Sequence, residues 1–150
     1  MPQSLAKNLI HLVFSTKNRV PQLTENIRPN LHAYITTVFK NIECPVIIID
    51  SVEDHLHVLF HLHRTVALAK AVEEIKKSSS KWLKTQSGDL TDFAWQAGYG
   101  AFSVSESVVP AVKKYILHQA EHHRKLSFQD ELRGILTKHG LDYDERYLWD

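Results

Sequence analysis

A stretch in the middle of the chain, His55–His63, alternates between apolar side chains and a set of mostly histidine positions. Successive side chains of a β-strand point to opposite faces, so this alternation predicts a strand with one apolar face and one imidazole-rich face. The apolar face consists of Leu56, Val58, Phe60 and Leu62. Such a strand requires a sheet that buries one face against a layer of other elements.

Apolar spacing and turn residues predict the other elements along the chain. They predict strands at 9–16, 44–49, 55–63 and 93–104, and helices at about 25–41, 66–85, 110–125 and 127–138. The order strand, helix, strand, strand, helix, strand indicates an α+β ferredoxin-like (RRM-like) fold: an antiparallel sheet with helices on one face plus C-terminal helices. We expect a single domain over residues 1–150, with a C-terminal helical extension at about 127–150 and a loosely packed tail in its last ten residues.

Composition limits the class of protein. Lys and Arg number 18 against 17 Asp and Glu, so nucleic-acid binding would depend on local basic patches and not on net charge. The single cysteine, Cys44, cannot form an intrachain disulfide and is expected to be a small buried side chain. The short apolar run near the N-terminus predicts neither a signal peptide nor a membrane helix, and we expect a cytoplasmic protein with no membrane partner.

Two His-x-His pairs lie on the predicted third strand, His55 with His57 and His61 with His63. Each pair projects from one face about 6.6 Å apart at the backbone, which allows both rings to bind one ion. Surface histidines on a solvated face are the alternative, and the spacing does not choose between the pairs. Nitrogen and oxygen ligands would suit Mg²⁺, Mn²⁺ or Zn²⁺, whereas a thiolate zinc cluster is excluded by the cysteine count.

Tyr115 and Gln119 lie one turn apart on the helix predicted after Pro110, near its inward apolar face. A buried glutamine amide requires polar partners, and a tyrosine hydroxyl can attack phosphorus when a metal ion polarises the phosphate. The alternative is ordinary packing of the tyrosine ring with its hydroxyl reaching water.

Basic side chains that could follow a DNA backbone occur in three places. They are Lys77, Lys81 and Lys84 on the second helix, Lys17 and Arg19 after the first strand, and Arg124 beyond the tyrosine helix. A solvated helix face is the alternative for the lysines. Aromatic side chains that could stack on unpaired bases, or pack in the core, are Trp82, Trp95, Tyr99 and Phe102.

Together these motifs resemble the single-tyrosine HUH transposases of bacterial insertion sequences, over about residues 8–132. The resemblance rests on His55-Leu56-His57, on Tyr115-x-x-x-Gln119, and on the stretches His11–Lys17, Trp95–Ser105 and Gln119–Lys125. It implies that His55, His57 and Gln119 bind a divalent ion, Mg²⁺ or Mn²⁺, and that Tyr115 is the nucleophile. It further implies a 5′-phosphotyrosine bond, single-stranded DNA with hairpins as substrate, a homodimer, and no small-molecule cofactor.

Two other functions stay open from the sequence. A domesticated relative would bind or nick repeated genomic palindromes with the same residues. For either function we expect a bacterial or archaeal cell, with the protein associated with the nucleoid when bound to DNA. A non-catalytic ferredoxin-like module would bind RNA or DNA without using the histidines chemically.

Overall fold

The computed structural model describes residues 2–119 and 126–150. Its strands are β1 (Asn8–Ser15), β2 (Val46–Ser51), β3 (His55–Leu62) and β4 (Gly100–Val104), and its helices are α1 (Arg28–Asn41), α2 (Leu68–Leu83), α3 (Val109–Leu117) and α4 (Phe128–Lys138). The four strands form one sheet in the order β2-β3-β1-β4, with every neighbouring pair antiparallel. This is the predicted ferredoxin-like topology.

The apolar face of β3 packs as its alternation predicts. Leu56, Val58 and Phe60 are fully buried in one core with Leu12 and Phe14 of β1. The helices α1 and α2 cover this core through their own apolar stripes. Burying these large side chains removes their apolar surface from water, which supplies most of the favourable free energy of folding.

The C-terminal helices cover the opposite face of the sheet, the one that carries the imidazoles. From α3, Ile116 packs on Leu9 and Leu59 of the sheet. From α4, Phe128 and Leu132 form a separate cluster with sheet residues. The imidazole face of β3 is therefore an interior surface between the sheet and two helices.

The last strand is much shorter than the predicted 93–104, because β4 begins only at Gly100. Before it, Trp95 forms only an isolated antiparallel bridge with Thr16. The carbonyls of Gln96 and Gly98 accept from Nζ of Lys76 at 2.7 and 2.6 Å. A Cβ at Gly100 would lie 3.1 Å from the Val13 side chain, so glycine permits the close approach of β4 to β1.

Other boundaries also differ from the sequence prediction. The first helix starts at Arg28, after turns over residues 25–27, and Pro29 occupies its first turn. The helix predicted at 110–125 ends at Leu117, where His118 adopts φ −103° and ψ 26°. The rest of that prediction, residues 120–125, lies outside the described residues.

The predicted loose tail is anchored at its end, because its last three residues contact the domain although residues 141–147 are exposed. Leu148 and Trp149 contact the cluster of Phe128 and Leu132. The carbonyl oxygen of Asp150 accepts from the Gly98 amide at 2.7 Å. Apolar contact and backbone hydrogen bonding together hold this segment. Among the described residues, we find no helix of the length and hydropathy needed to cross a bilayer.

Candidate active site

The two histidines at the start of β3 lie side by side in the interior. His55 and His57 are both fully buried, and their ring centroids are 5.3 Å apart. They share the sheet face that α3 and α4 cover, as the two-residue period of a strand requires. Burial removes competing water, so the atoms around each ring determine what it can bind.

Each ring directs its Nε2 atom to the same place, because its Nδ1 atom has a separate partner. Nδ1 of His55 lies 2.7 Å from a carboxylate oxygen of Asp54, and Nδ1 of His57 lies 2.8 Å from Nε2 of His11. Hydrogen bonding at one imidazole nitrogen orients the ring and leaves the other nitrogen to a ligand.

A carboxylate from α4 meets these Nε2 atoms. Oε1 of Glu131 lies 2.9 Å from Nε2 of His57 and 3.8 Å from Nε2 of His55. One ligand atom from each of these three residues lies within 4.8 Å of the other two, the arrangement expected of a metal site. Among the residues that the structure describes, this is the one such group of three histidine, cysteine or acidic residues.

The sequence prediction missed Glu131, although a signal for it exists. The helix α4 begins after Ser127, whose side chain caps the Asp130 amide. Its buried residues Phe128, Leu132 and Leu136 define an inward stripe, and Glu131, 4% exposed, lies on the same stripe. A carboxylate on an apolar stripe needs a buried partner, and this was the available clue.

Tyr115 and Gln119 reach the histidines from α3. The Tyr115 ring lies 5.9 Å from the His57 ring and 6.2 Å from the His11 ring, centroid to centroid. Gln119 is fully buried, and its Oε1 lies 3.4 Å from Nε2 of His55. Its amide nitrogen donates to the Tyr115 carbonyl at 3.3 Å, although α3 has already ended at Leu117. All four residues of the predicted set therefore meet within one chain.

Burial shifts the pKa values of two groups in this interior, Tyr115 and His11. Burial, the Glu131 charge and a hydrogen bond with Glu131 all raise the pKa of Tyr115, against a smaller opposing effect of Gln119. Burial and the neighbouring His57 lower the pKa of His11 to about 3. At neutral pH the tyrosine is therefore a phenol and His11 a neutral imidazole.

The second histidine pair lies elsewhere. His61 is four residues beyond His57, about 13 Å along the strand at roughly 3.3 Å per residue. Nδ1 of His63 lies 2.7 Å from the Thr65 hydroxyl, and its Nε2 lies 3.8 Å from Glu43. The structure thus brings the first pair to Tyr115 and Gln119.

Several predicted DNA-binding residues border one open groove between α2 and the segment at 93–99. The groove has a volume of about 520 Å³, and its lining includes Lys77, Ser80, Lys84 and the half-exposed ring of Tyr99. Lys81 is exposed on α2 but does not line the groove. Trp95 is buried in the core beside it.

Of the other predicted basic residues, the structure describes Lys17 and Arg19. Lys17 and Arg19 are exposed in a short 3₁₀ turn after β1, where the Lys17 amide donates to the carbonyl of Ala94, a groove residue. Arg124 lies outside the described residues. Of the remaining aromatic candidates, Trp82 stacks on Tyr34 and Phe102 is buried beside His11.

Comparisons with known proteins bear on the family and the fold. The sequence model described as "Transposase IS200 like" matches residues 4–119. A crystal structure assigned as a transposase from Deinococcus radiodurans is similar at a TM-score of 0.62 and 18% identity, covering 79% of this chain and 98% of that one. A REP-associated tyrosine transposase bound to a REP hairpin is similar at 0.62 and 16% identity, covering 82% of this chain and 73% of that one. No curated protein sequence matches the chain significantly.

Proposed function

The chain belongs to the IS200-like transposase family, and from that premise we propose that it cleaves and rejoins single-stranded DNA at hairpin-marked ends. In this proposal Tyr115 forms a covalent 5′-phosphotyrosine bond with the cleaved strand. One observation carries it: the Tyr115 ring lies 5.9 Å from the ring of His57, whose Nε2 belongs to a three-residue cluster suited to a metal ion.

The residues present fit a divalent cation. Donor atoms that share one ion at about 2.1 Å lie ~3.0–3.5 Å apart. The distances of 2.9 Å between His57 and Glu131 and 3.4 Å between His55 and Gln119 are close to this range. We propose Mg²⁺ or Mn²⁺, held by His55 and His57 with Gln119 as predicted, and with Glu131 as an additional ligand.

Each group has a distinct task in the proposed cleavage. The phenolic oxygen of Tyr115 attacks the scissile phosphorus, its bond to phosphorus forms, and the bond from phosphorus to the 3′ oxygen breaks. The net proton transfer runs from the tyrosine hydroxyl to that leaving oxygen, which becomes a free 3′-hydroxyl for later joining. A divalent cation held by these residues would supply charge neutralisation at the phosphate. Glu131 holds the hydroxyl through its hydrogen bond, and Gln119 ties the chain after α3 to the Tyr115 carbonyl.

We propose that the groove between α2 and residues 93–99 guides the strand. Lys77 and Lys84 stand beside Tyr99 there, which combines phosphate contacts with a face for stacking on an unpaired base. Lys17 and Arg19 extend the basic surface along the Ala94 side, and Lys81 and Arg124 complete the proposed DNA contacts. The site and its tyrosine lie in one chain, and we propose that two such chains form a homodimer in the cytoplasm.

A covalent-adduct assay tests the proposal. The protein is incubated with hairpin-bearing single-stranded DNA and Mn²⁺, then denatured and resolved by electrophoresis. We expect an adduct in the wild type and in Tyr147→Phe, whose tyrosine is largely exposed, and none in Tyr115→Phe or after chelation of the metal. An adduct that persists in Tyr115→Phe contradicts the assignment. Absence of both adduct and Mn²⁺ binding in the wild type favours a non-catalytic nucleic-acid-binding module.

The second candidate is a host-retained relative that binds or nicks repeated palindromes, and the neighbour bound to a REP hairpin favours it. Both functions use the same residues, so genomic context distinguishes them. Palindromic ends flanking the coding sequence indicate a mobile element, and scattered repeats of one palindrome indicate the retained form.

A further inference from the structure

His11 lies outside the predicted ligand set, yet it is the group that contacts the far side of His57. It lies on β1, opposite Leu59 of β3 and Phe102 of β4 in the sheet register. Only 7% of the residue is exposed, and its ring stacks on the His57 ring with centroids 5.1 Å apart. Its Nε2 lies 2.8 Å from Nδ1 of His57.

A histidine can coordinate an ion through Nε2 only when its hydrogen resides on Nδ1. That hydrogen needs an acceptor when the ring is buried, since an unsatisfied buried donor costs about 1–3 kcal/mol. His55 has the Asp54 carboxylate in this position. His57, fully buried, has an imidazole nitrogen there instead.

We propose that His11 is a positioning residue that accepts the Nδ1 hydrogen of His57, and so holds the Nε2 lone pair of His57 toward the divalent ion. The inference rests on the metal site of the proposed function. In this arrangement the His11 hydrogen resides on its own Nδ1, and both rings stay neutral.

His11 also contacts the proposed nucleophile. Its ring also meets the Tyr115 ring edge-on, with centroids 6.2 Å apart. His11 therefore packs against both the metal-facing imidazole of His57 and the ring of the proposed nucleophile. A change at His11 that leaves the ring volume but removes the nitrogen tests the hydrogen bond separately from this packing.

The test compares His11→Leu, which removes the acceptor, with His11→Gln, whose side-chain carbonyl oxygen can still accept from His57. Mn²⁺ affinity is measured by titration calorimetry on the DNA-free protein, with melting temperature recorded for each variant. Loss of an outer-shell partner of a metal ligand weakens binding by roughly 10–100-fold. We expect this weakening of Mn²⁺ binding in His11→Leu. In His11→Gln we expect an affinity close to that of the wild type. His11→Phe gives the same comparison with the ring retained, and serves if His11→Leu does not fold.

His32→Leu is the matched control, because it removes another imidazole hydrogen bond, 2.7 Å to Ser51, away from the site. Its Mn²⁺ affinity should equal that of the wild type. A ¹⁵N spectrum of the Zn²⁺-loaded protein should show hydrogen on Nδ1 of His57 in the wild type and in His11→Gln. If Mn²⁺ affinity is unchanged in both His11→Leu and His11→Phe but binding is lost in His57→Ala, the role proposed for His11 is overturned and the metal site stands. A wild type that binds no Mn²⁺ overturns the metal site itself.

Discussion

The Glu131 carboxylate lies 2.9 Å from Nε2 of His57, although 74 residues separate them in the chain. The same carboxylate helps to raise the pKa of Tyr115 through its charge and a hydrogen bond. One buried acidic group thus joins the proposed metal site to the proposed nucleophile. It makes the C-terminal helix α4 a part of the site as well as a cover for the sheet.

Replacing Glu131 with glutamine should weaken Mn²⁺ binding, because an anionic oxygen beside two imidazoles becomes a neutral one. We expect the dissociation constant to rise roughly 10–100-fold. Titration calorimetry measures the change, with Asp142→Asn as an exposed acidic control. The pKa of Tyr115 should also fall, which an ultraviolet pH titration detects as phenolate absorbance at lower pH. An affinity equal to that of the wild type would remove Glu131 from the ligand set.

Lys76 should be a structural lysine, in contrast to its neighbour Lys77. Its Nζ donates to the carbonyls of Gln96, Ala97 and Gly98. These three hydrogen bonds hold the segment before β4 in place. Lys76→Met should lower the free energy of unfolding by about 2 kcal/mol, since charged hydrogen bonds to backbone carbonyls, two of them partly buried, are lost. Urea denaturation measures this. Lys77→Met, at an exposed position, should leave stability unchanged, and equal losses in the two variants would contradict the distinction.

Single-stranded DNA affinity should depend on the groove beside α2. Lys84→Gln should weaken binding and reduce the slope of log affinity against log salt by about 0.7, the value for one phosphate contact on a single strand. Tyr99→Ala should weaken binding by about 1–3 kcal/mol with little change in that slope, because stacking releases no counterions. Fluorescence anisotropy at several salt concentrations measures both. Lys40→Gln, exposed at the end of α1, is the control, and a loss of affinity as large as that of Lys84→Gln would argue against the groove.

Acidification should destabilise the fold through His32. Burial, with a smaller effect of Arg28, lowers the pKa of His32 to about 4 from 6.5. Between pH 6.5 and about 4 the unfolded chain binds the proton more tightly, so stability falls as pH falls through this window. The ring is partly exposed, so solvent screening limits the contribution to about 1–2 kcal/mol. The stability difference between pH 7 and pH 4.5, from urea denaturation, should be smaller in His32→Gln than in the wild type. An equal difference would contradict the prediction.

Local patterns predicted the sheet correctly where a strand follows the two-residue period. The alternation in β3 placed Leu56 in the core and His55 on the other face, because side-chain direction in a strand is a local property. The same reasoning failed at 96–99, after an isolated bridge between Trp95 and Thr16. There, the Gln96 carbonyl accepts from Nζ of Lys76 and the Gly98 amide donates to the carbonyl of Asp150. These backbone groups are therefore not available to pair with a neighbouring strand.

The sequence by itself determined the topology, the pairing of His55 with His57 on one face, and the membership of Tyr115 and Gln119 in a motif. The tertiary structure decided that these residues meet within one chain, and that His11 and Glu131 join them across 46 and 74 residues of sequence. The physical reason is that strand and helix periods act over a few residues and are written in local spacing. A buried polar contact between distant segments exists only after the sheet and its covering helices have packed, because packing sets the distance and excludes the water that would otherwise solvate each group.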